Sequence, residues 1–172
     1  MNAVVAFPQV ANMVASMKTV LVDKIASITQ ALNLGHELRV ATTDIPCEEG
    51  VVLVVEILNN KSTYNTLELT SGRMAKLAKG DVIVGALGHR QALFGYSGHL
   101  PESVKEGDII QVLNIGGVLG ICDSVNPEKG RPFDAKGRYY HFLQAHRIIH
   151  KRNISQCALV ADRYFLRFHS NV

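Results

Sequence analysis

Apolar residues at Val10, Val14, Met17, Leu21, Ile25, Ile28 and Leu32 recur every three or four positions, with Asn12, Ser16, Thr19, Lys24 and Gln30 between them. That spacing predicts one long amphipathic helix within residues 1–35, opened by Pro8 and ended by Gly35. Its stripe must pack either on the rest of the domain or on a second copy, so a homo-oligomer built through this helix is one expected assembly.

From Glu37 the period changes to two. Leu38 and Val40 alternate with Arg39 and Ala41, and a turn follows across residues 44–50. The run Val51 to Leu58 is almost wholly apolar and of strand length, which predicts the central, most buried strand, with Glu56 facing outward near its end. Tyr64 to Thr70 alternates again, and Met74 to Lys79 reads as coil or a short helical piece. Strands are then expected at Ile83–Gly88, Gln91–Tyr96, Ile109–Leu113 and Val118–Cys122.

Nine of the fourteen glycines lie between Lys79 and Gly120, where a near-repeat stands out. Lys79-Gly80-Asp81-Val82-Ile83 recurs 27 residues later as Glu106-Gly107-Asp108-Ile109-Ile110, each copy preceded by an apolar residue, Leu77 or Val104. Each copy predicts a turn with a positive-φ glycine, an aspartate that satisfies local amides, and a β-branched strand. Short strands joined by turns, without a regular β-helix-β alternation, predict a mainly β chain with flanking helices (α+β). The expected form is a small closed or partly open β-barrel of about six to seven strands, preceded by the long N-terminal helix. The corresponding divisions are 1–35 for the helix, 36–134 for the barrel and 135–172 for a C-terminal extension.

Charge changes the picture only at the end. Residues 1–130 hold 10 Lys and Arg against 13 Asp and Glu, whereas residues 131–172 hold 8 against 2 and carry seven of the eleven aromatics. Such a basic, aromatic tail has the composition for nucleic-acid contact, with Arg138, Arg147, Lys151 and Arg152 as the candidate residues. Three scattered cysteines build no disulfide framework and point to a reducing, cytoplasmic setting. Neither a signal peptide nor a membrane-spanning helix is indicated, and no membrane partner is expected.

Candidate chemistry gathers at the glycine-rich turns. Arg73 follows Gly72, His89 and Arg90 follow Gly88, and Ser97 and His99 flank Gly98. Glycines let backbone amides approach an anion while arginine and histidine supply charge and donors, so these five residues are the expected ligand site. The leading expectation is a non-catalytic module that binds a small anionic molecule or a partner domain. A nucleic-acid-binding role for the tail is the alternative. A hydrolase or transferase is a third reading, with Ser97 or Cys122 as nucleophile and His89 or His99 as base. His89, His99, Cys122 and Asp123 are acceptable zinc ligands in type, but their spacing matches no familiar site and no metal is expected. The chain has neither a G-x-x-x-x-G-K-[ST] phosphate loop nor a G-x-G-x-x-G fingerprint. The identity of any cofactor is left unknown.

Three segments carry a resemblance: residues 64–73 (Tyr64-Asn65, Leu67-Glu68-Leu69, Ser71-Gly72-Arg73), Gly80 to Arg90, and Leu113 to Gly120. Across residues 50–134 the pattern resembles the N-terminal barrel of uncharacterised prokaryotic proteins in which a P-loop nucleotide-binding domain follows. The resemblance implies an accessory domain. Nucleotide hydrolysis does not carry over, because the basic tail after Ala135 stands where the continuation would be.

Overall fold

A computed structural model describes residues 17–41 and 47–140. Eleven strands and two short 3-10 helices make up these residues, in the order β1 (Met17–Leu21), β2 (Lys24–Ile25), a 3-10 turn (Ser27–Leu32), β3 (Glu37–Ala41), β4 (Val52–Ile57), β5 (Thr66–Glu68), β6 (Met74–Lys76), β7 (Val82–Leu87), β8 (Tyr96–His99), β9 (Ile109–Val112), β10 (Val118–Val125), a second 3-10 turn (Pro127–Lys129) and β11 (Phe133–Tyr140). Nine strands form one branched sheet with the path β1-β3-β11-β4-β7-β10-β8, while β5 and β6 pair separately. β2 joins at β7, and β9 joins at both β10 and β11.

The central-strand expectation holds at β4. Val52 and Val54 face one apolar cluster with Val84, Ala86, Leu38 and Val40, while Leu53, Val55 and Ile57 face a larger one with Ile83, Leu87, Ile110, Leu119 and Phe133. A strand covered on both faces must be apolar at consecutive positions, which is why the run from Val51 shows almost no alternation. Five strands also pair in a circuit, β4 with β7, β7 with β10, β10 with β9, β9 with β11 and β11 with β4. One face of each supplies the larger cluster.

The expected barrel of six to seven strands behind a long helix is corrected. The described residues are rich in strand with almost no helix, and their main sheet has nine strands and ends at β1 and β8. Of the predicted helix, residues 1–16 lie outside the described residues, and residues 17–32 form β1, β2 and a 3-10 turn. Burial shows why: Leu21, on the predicted stripe, is 74% exposed, whereas Val22, off the stripe, is 4% exposed and packs with Leu38 and Val40. The β-branched residues Thr19 and Val20 suit the antiparallel pairing of β1 with β3, and that tertiary partner overrides the helical spacing. The helix face expected to offer a dimer surface therefore does not form over residues 17–35.

Other differences are local. Met74–Lys76, expected as coil or helix, is β6. Residues 91–95 form a loop in place of a strand, and Gly98 and His99, expected at a glycine-rich turn, belong to β8. β11 runs across residue 135, so the described chain is continuous strand at the point where a division was expected.

The near-repeat behaves as two copies of one turn. Gly80 has φ 93° and Gly107 φ 98°. The Asp81 carboxylate accepts from the Ala78 amide at 2.7 Å, and the Asp108 carboxylate accepts from the Lys105 amide at 2.8 Å. Leu77 and Val104, the apolar residues before the copies, are both buried in the larger cluster. These turns start β7 and β9 and carry the frame that holds the segment between them.

Candidate functional site

Between β7 and β8 the chain leaves the sheet for residues 88–95 and returns on itself. The amide of Arg90 donates to the Gly98 carbonyl at 2.9 Å and the Gly98 amide donates back to Arg90 at 2.9 Å. Arg90 Nε donates to the Tyr96 carbonyl at 3.2 Å, and the Ala92 amide donates to Ser97 Oγ at 3.2 Å. Backbone and side chain together thus fix the base of the loop. Gly98 has to be glycine here, because a Cβ would collide with the Ile121 carbonyl and the Leu113 side chain.

β8 pairs with β10 through a bulge. His99 lies opposite Ile121, Gly98 opposite Cys122 and Ser97 opposite Ser124, leaving Asp123 as the extra residue. A bulge re-aims the unpaired side chain, and Asp123 turns to His99 with an Oδ1 to Nδ1 distance of 2.7 Å. The carboxylate accepts from Nδ1–H, which leaves Nε2 as the ring's remaining polar atom. Both side chains are half-exposed.

These elements enclose an open hollow of about 690 Å³ lined by His89, Arg90, Ser97, His99, Asp123 and the loop residues 91–93 with Gly98. Four of the five ligand residues expected from sequence therefore share one concavity. Arg73 does not line it: it sits exposed in the turn between β5 and β6, where its carbonyl accepts from Leu69. The His89 side chain is exposed and has no hydrogen-bond partner among the described residues.

No nucleophile is hydrogen-bonded to a base among the described residues of the hollow. Neither His89 nor His99 is hydrogen-bonded to Ser97 or Cys122 among the described residues: Ser97 Oγ is engaged with Ala92, and Cys122 Sγ contacts the Ser124 carbonyl at 3.4 Å. Burial pushes the Cys122 thiol up, and Asp123 adds to the effect, so the thiolate is disfavoured at neutral pH. Among the described residues no three His, Cys, Asp or Glu side chains come together as a metal site requires. For the nucleic-acid alternative, Arg147, Lys151 and Arg152 lie outside the described residues, and Arg138 is the extra residue of a bulge in β11 opposite β4.

Sequence reasoning missed a second polar cluster altogether. Lys61 Nζ donates to the Tyr96 hydroxyl and to the carbonyls of Arg131, at 2.5 Å, and Lys129, at 3.3 Å. It also lies 4.8 Å from the Tyr96 ring centre, 5.4 Å from Phe133 and 6.0 Å from Tyr64. Tyr64 and Tyr96 meet edge to face at 5.5 Å. Burial pulls the Lys61 pKa below its ordinary value, opposed by the field of Cys122, and the carbonyls and ring faces offset the lost hydration. Lys61 stands in an Asn-Asn-Lys-Ser turn, and nothing in that composition announces a caged ammonium.

No family model matches the chain, and no curated protein or solved structure matches it. Among the described residues no helix is long and apolar enough to cross a membrane.

Proposed function

We propose that this chain is a non-catalytic, β-rich accessory module that binds a small anionic ligand in the hollow between β8 and the residue 88–95 loop. The convergence of His89, Arg90, Ser97 and His99 on one concavity supports this reading. Arg90 brings a fixed positive charge held at the loop base, and His89 offers an uncommitted imidazole beside it. Asp123 is the acid of the hollow, and its carboxylate is already engaged by His99. What remains for a ligand is the Arg90 guanidinium beyond its Nε and the His89 imidazole, since the Ser97 hydroxyl is engaged with Ala92. A reducing, cytoplasmic setting belongs to the same reading, with Cys47 and Cys122 both free thiols. So does the kinship that the sequence pattern implies, with modules preceding a nucleotide-binding domain.

The test is a thermal-shift titration with inorganic phosphate, nucleotides and small carboxylates. Ligand in large excess over Kd stabilises a folded chain by RT ln(1 + [L]/Kd), so a true ligand raises Tm by several degrees. Arg90→Ala should lose most of that rise while Arg73→Ala, away from the hollow, keeps it. A chain whose Tm responds to no anion at millimolar concentration does not carry this site.

A further inference from the structure

At the tip of the loop beside the hollow, Leu93 is 95% exposed and Phe94 81% exposed, the most exposed large apolar side chains among the described residues. The loop base is pinned by the paired Arg90–Gly98 backbone bonds and by Ser97 on Ala92, so the pair is held out by the fold. From Gly88 to Leu100 the chain contains Arg90, His89 and His99 and no acidic residue. Two protruding apolar residues flanking a hollow that carries the Arg90 guanidinium, its one acid Asp123 already engaged by His99, match the layered chemistry of an anionic lipid surface, where headgroup phosphates overlie acyl chains. The cytoplasmic leaflet carries that negative charge.

We infer that the residue 91–95 loop docks on an anionic lipid surface, Leu93 and Phe94 entering the headgroup layer while Arg90 and His89 meet lipid phosphate at the hollow. This inference rests on the anion-binding reading, with the phosphate supplied by a headgroup, and it departs from the absence of a membrane partner that the sequence suggests. The hollow and the tip then form one surface: the charge selects the lipid and the apolar pair holds it. Docking of this kind is peripheral and needs no spanning segment.

The test is co-sedimentation of the full chain with large unilamellar vesicles of phosphatidylcholine alone, or mixed with phosphatidylglycerol, beside a thermal-shift titration with inorganic phosphate. Pelleting is expected with the mixed vesicles only, weakened by salt and reduced about tenfold or more in the double variant Leu93→Ser/Phe94→Ser. That variant, altered only at exposed positions, should keep the wild-type Tm, and Phe94→Ser alone, which lies outside the lining of the hollow, should weaken pelleting while keeping the phosphate response as well. The basic C-terminal tail can attract anionic vesicles by charge alone, which makes the apolar variant the deciding arm. Pelleting that the double variant leaves unchanged, or no pelleting with either vesicle, overturns the inference. A wild-type dimer in sedimentation velocity that the double variant splits also overturns it, because the tip then belongs to a second copy. A phosphate response without vesicle binding removes the lipid inference alone, and vesicle binding without a phosphate response removes the free-ligand reading alone.

Discussion

Tyr96 separates two polar regions of opposite character. On its side-chain end, Lys61 is closed in by three rings and hydrogen-bonded to the Tyr96 hydroxyl and two carbonyls. On its backbone end, the Tyr96 carbonyl takes Arg90 Nε at the edge of the open hollow, where His89 has no partner among the described residues. In the first region every polar hydrogen of the ammonium is used internally, so a ligand has nothing to bind. In the second, charge and donors remain after the fold is satisfied. What separates the two regions is how much hydrogen-bonding capacity is left over.

The largest expected effect strikes the closed region. Tyr96 is 1% exposed and packs on Tyr64, so Tyr96→Ala should cost about 3–5 kcal/mol by cavity formation and also release Lys61. Lys61→Met should cost about 1–3 kcal/mol, since the carbonyls of Lys129 and Arg131 lose a charged donor. Denaturant unfolding measures both. If Lys61→Met proves neutral, the cluster is not a structural pin and the contrast between the two regions fails.

How far the sequence foretold these regions follows from the length scale of each signal. The Gly-Asp turns were legible because each is a local device whose amides, carboxylate and positive φ lie within a few residues. β4 was legible because burial on both faces leaves an apolar run. The hollow was legible in part: His89, Arg90, Ser97 and His99 sit on adjacent turns, while Arg73 belongs to the separate β5–β6 pair, a distinction only the pairing makes. Asp123 enters through a bulge in β10, and Lys61 reaches Tyr96, Lys129 and Arg131 across 35 to 70 residues of sequence. Leu21 and Val22 show the same limit, since only the register against β3 decides which of them is buried.

Alkaline titration sharpens the contrast with a smaller effect. Burial pushes the Tyr96 phenol up from 10.0 to about 12, whereas Lys61 is lowered from 10.5. Between pH 10 and about 12 the unfolded phenol has lost its proton and the folded one keeps it, so Tyr96's contribution is intact below pH 10 and is lost as pH rises to about 12. Lys61 acts in the opposite sense: the folded ammonium gives up its proton first, so stability linked to it rises with pH until 10.5. Tyr96→Phe removes the first dependence. Its stability deficit against wild type should therefore shrink as pH climbs through that window, and a deficit that stays constant would place the hydroxyl outside the buried network.

The smallest effect on stability is expected in the open region, and it is the one that bears most on function. His89 is exposed and without a hydrogen-bond partner among the described residues, so His89→Ala should change unfolding free energy by no more than about 0.5 kcal/mol. Anion affinity should nevertheless fall, by roughly threefold to tenfold for one lost charge-assisted contact. Isothermal titration with the anion that gives the greatest thermal shift measures this directly. A loss of affinity without a loss of stability marks His89 as ligand-facing. A loss of stability without a loss of affinity would move it to the side of Lys61 and leave Arg90 alone at the rim of the hollow.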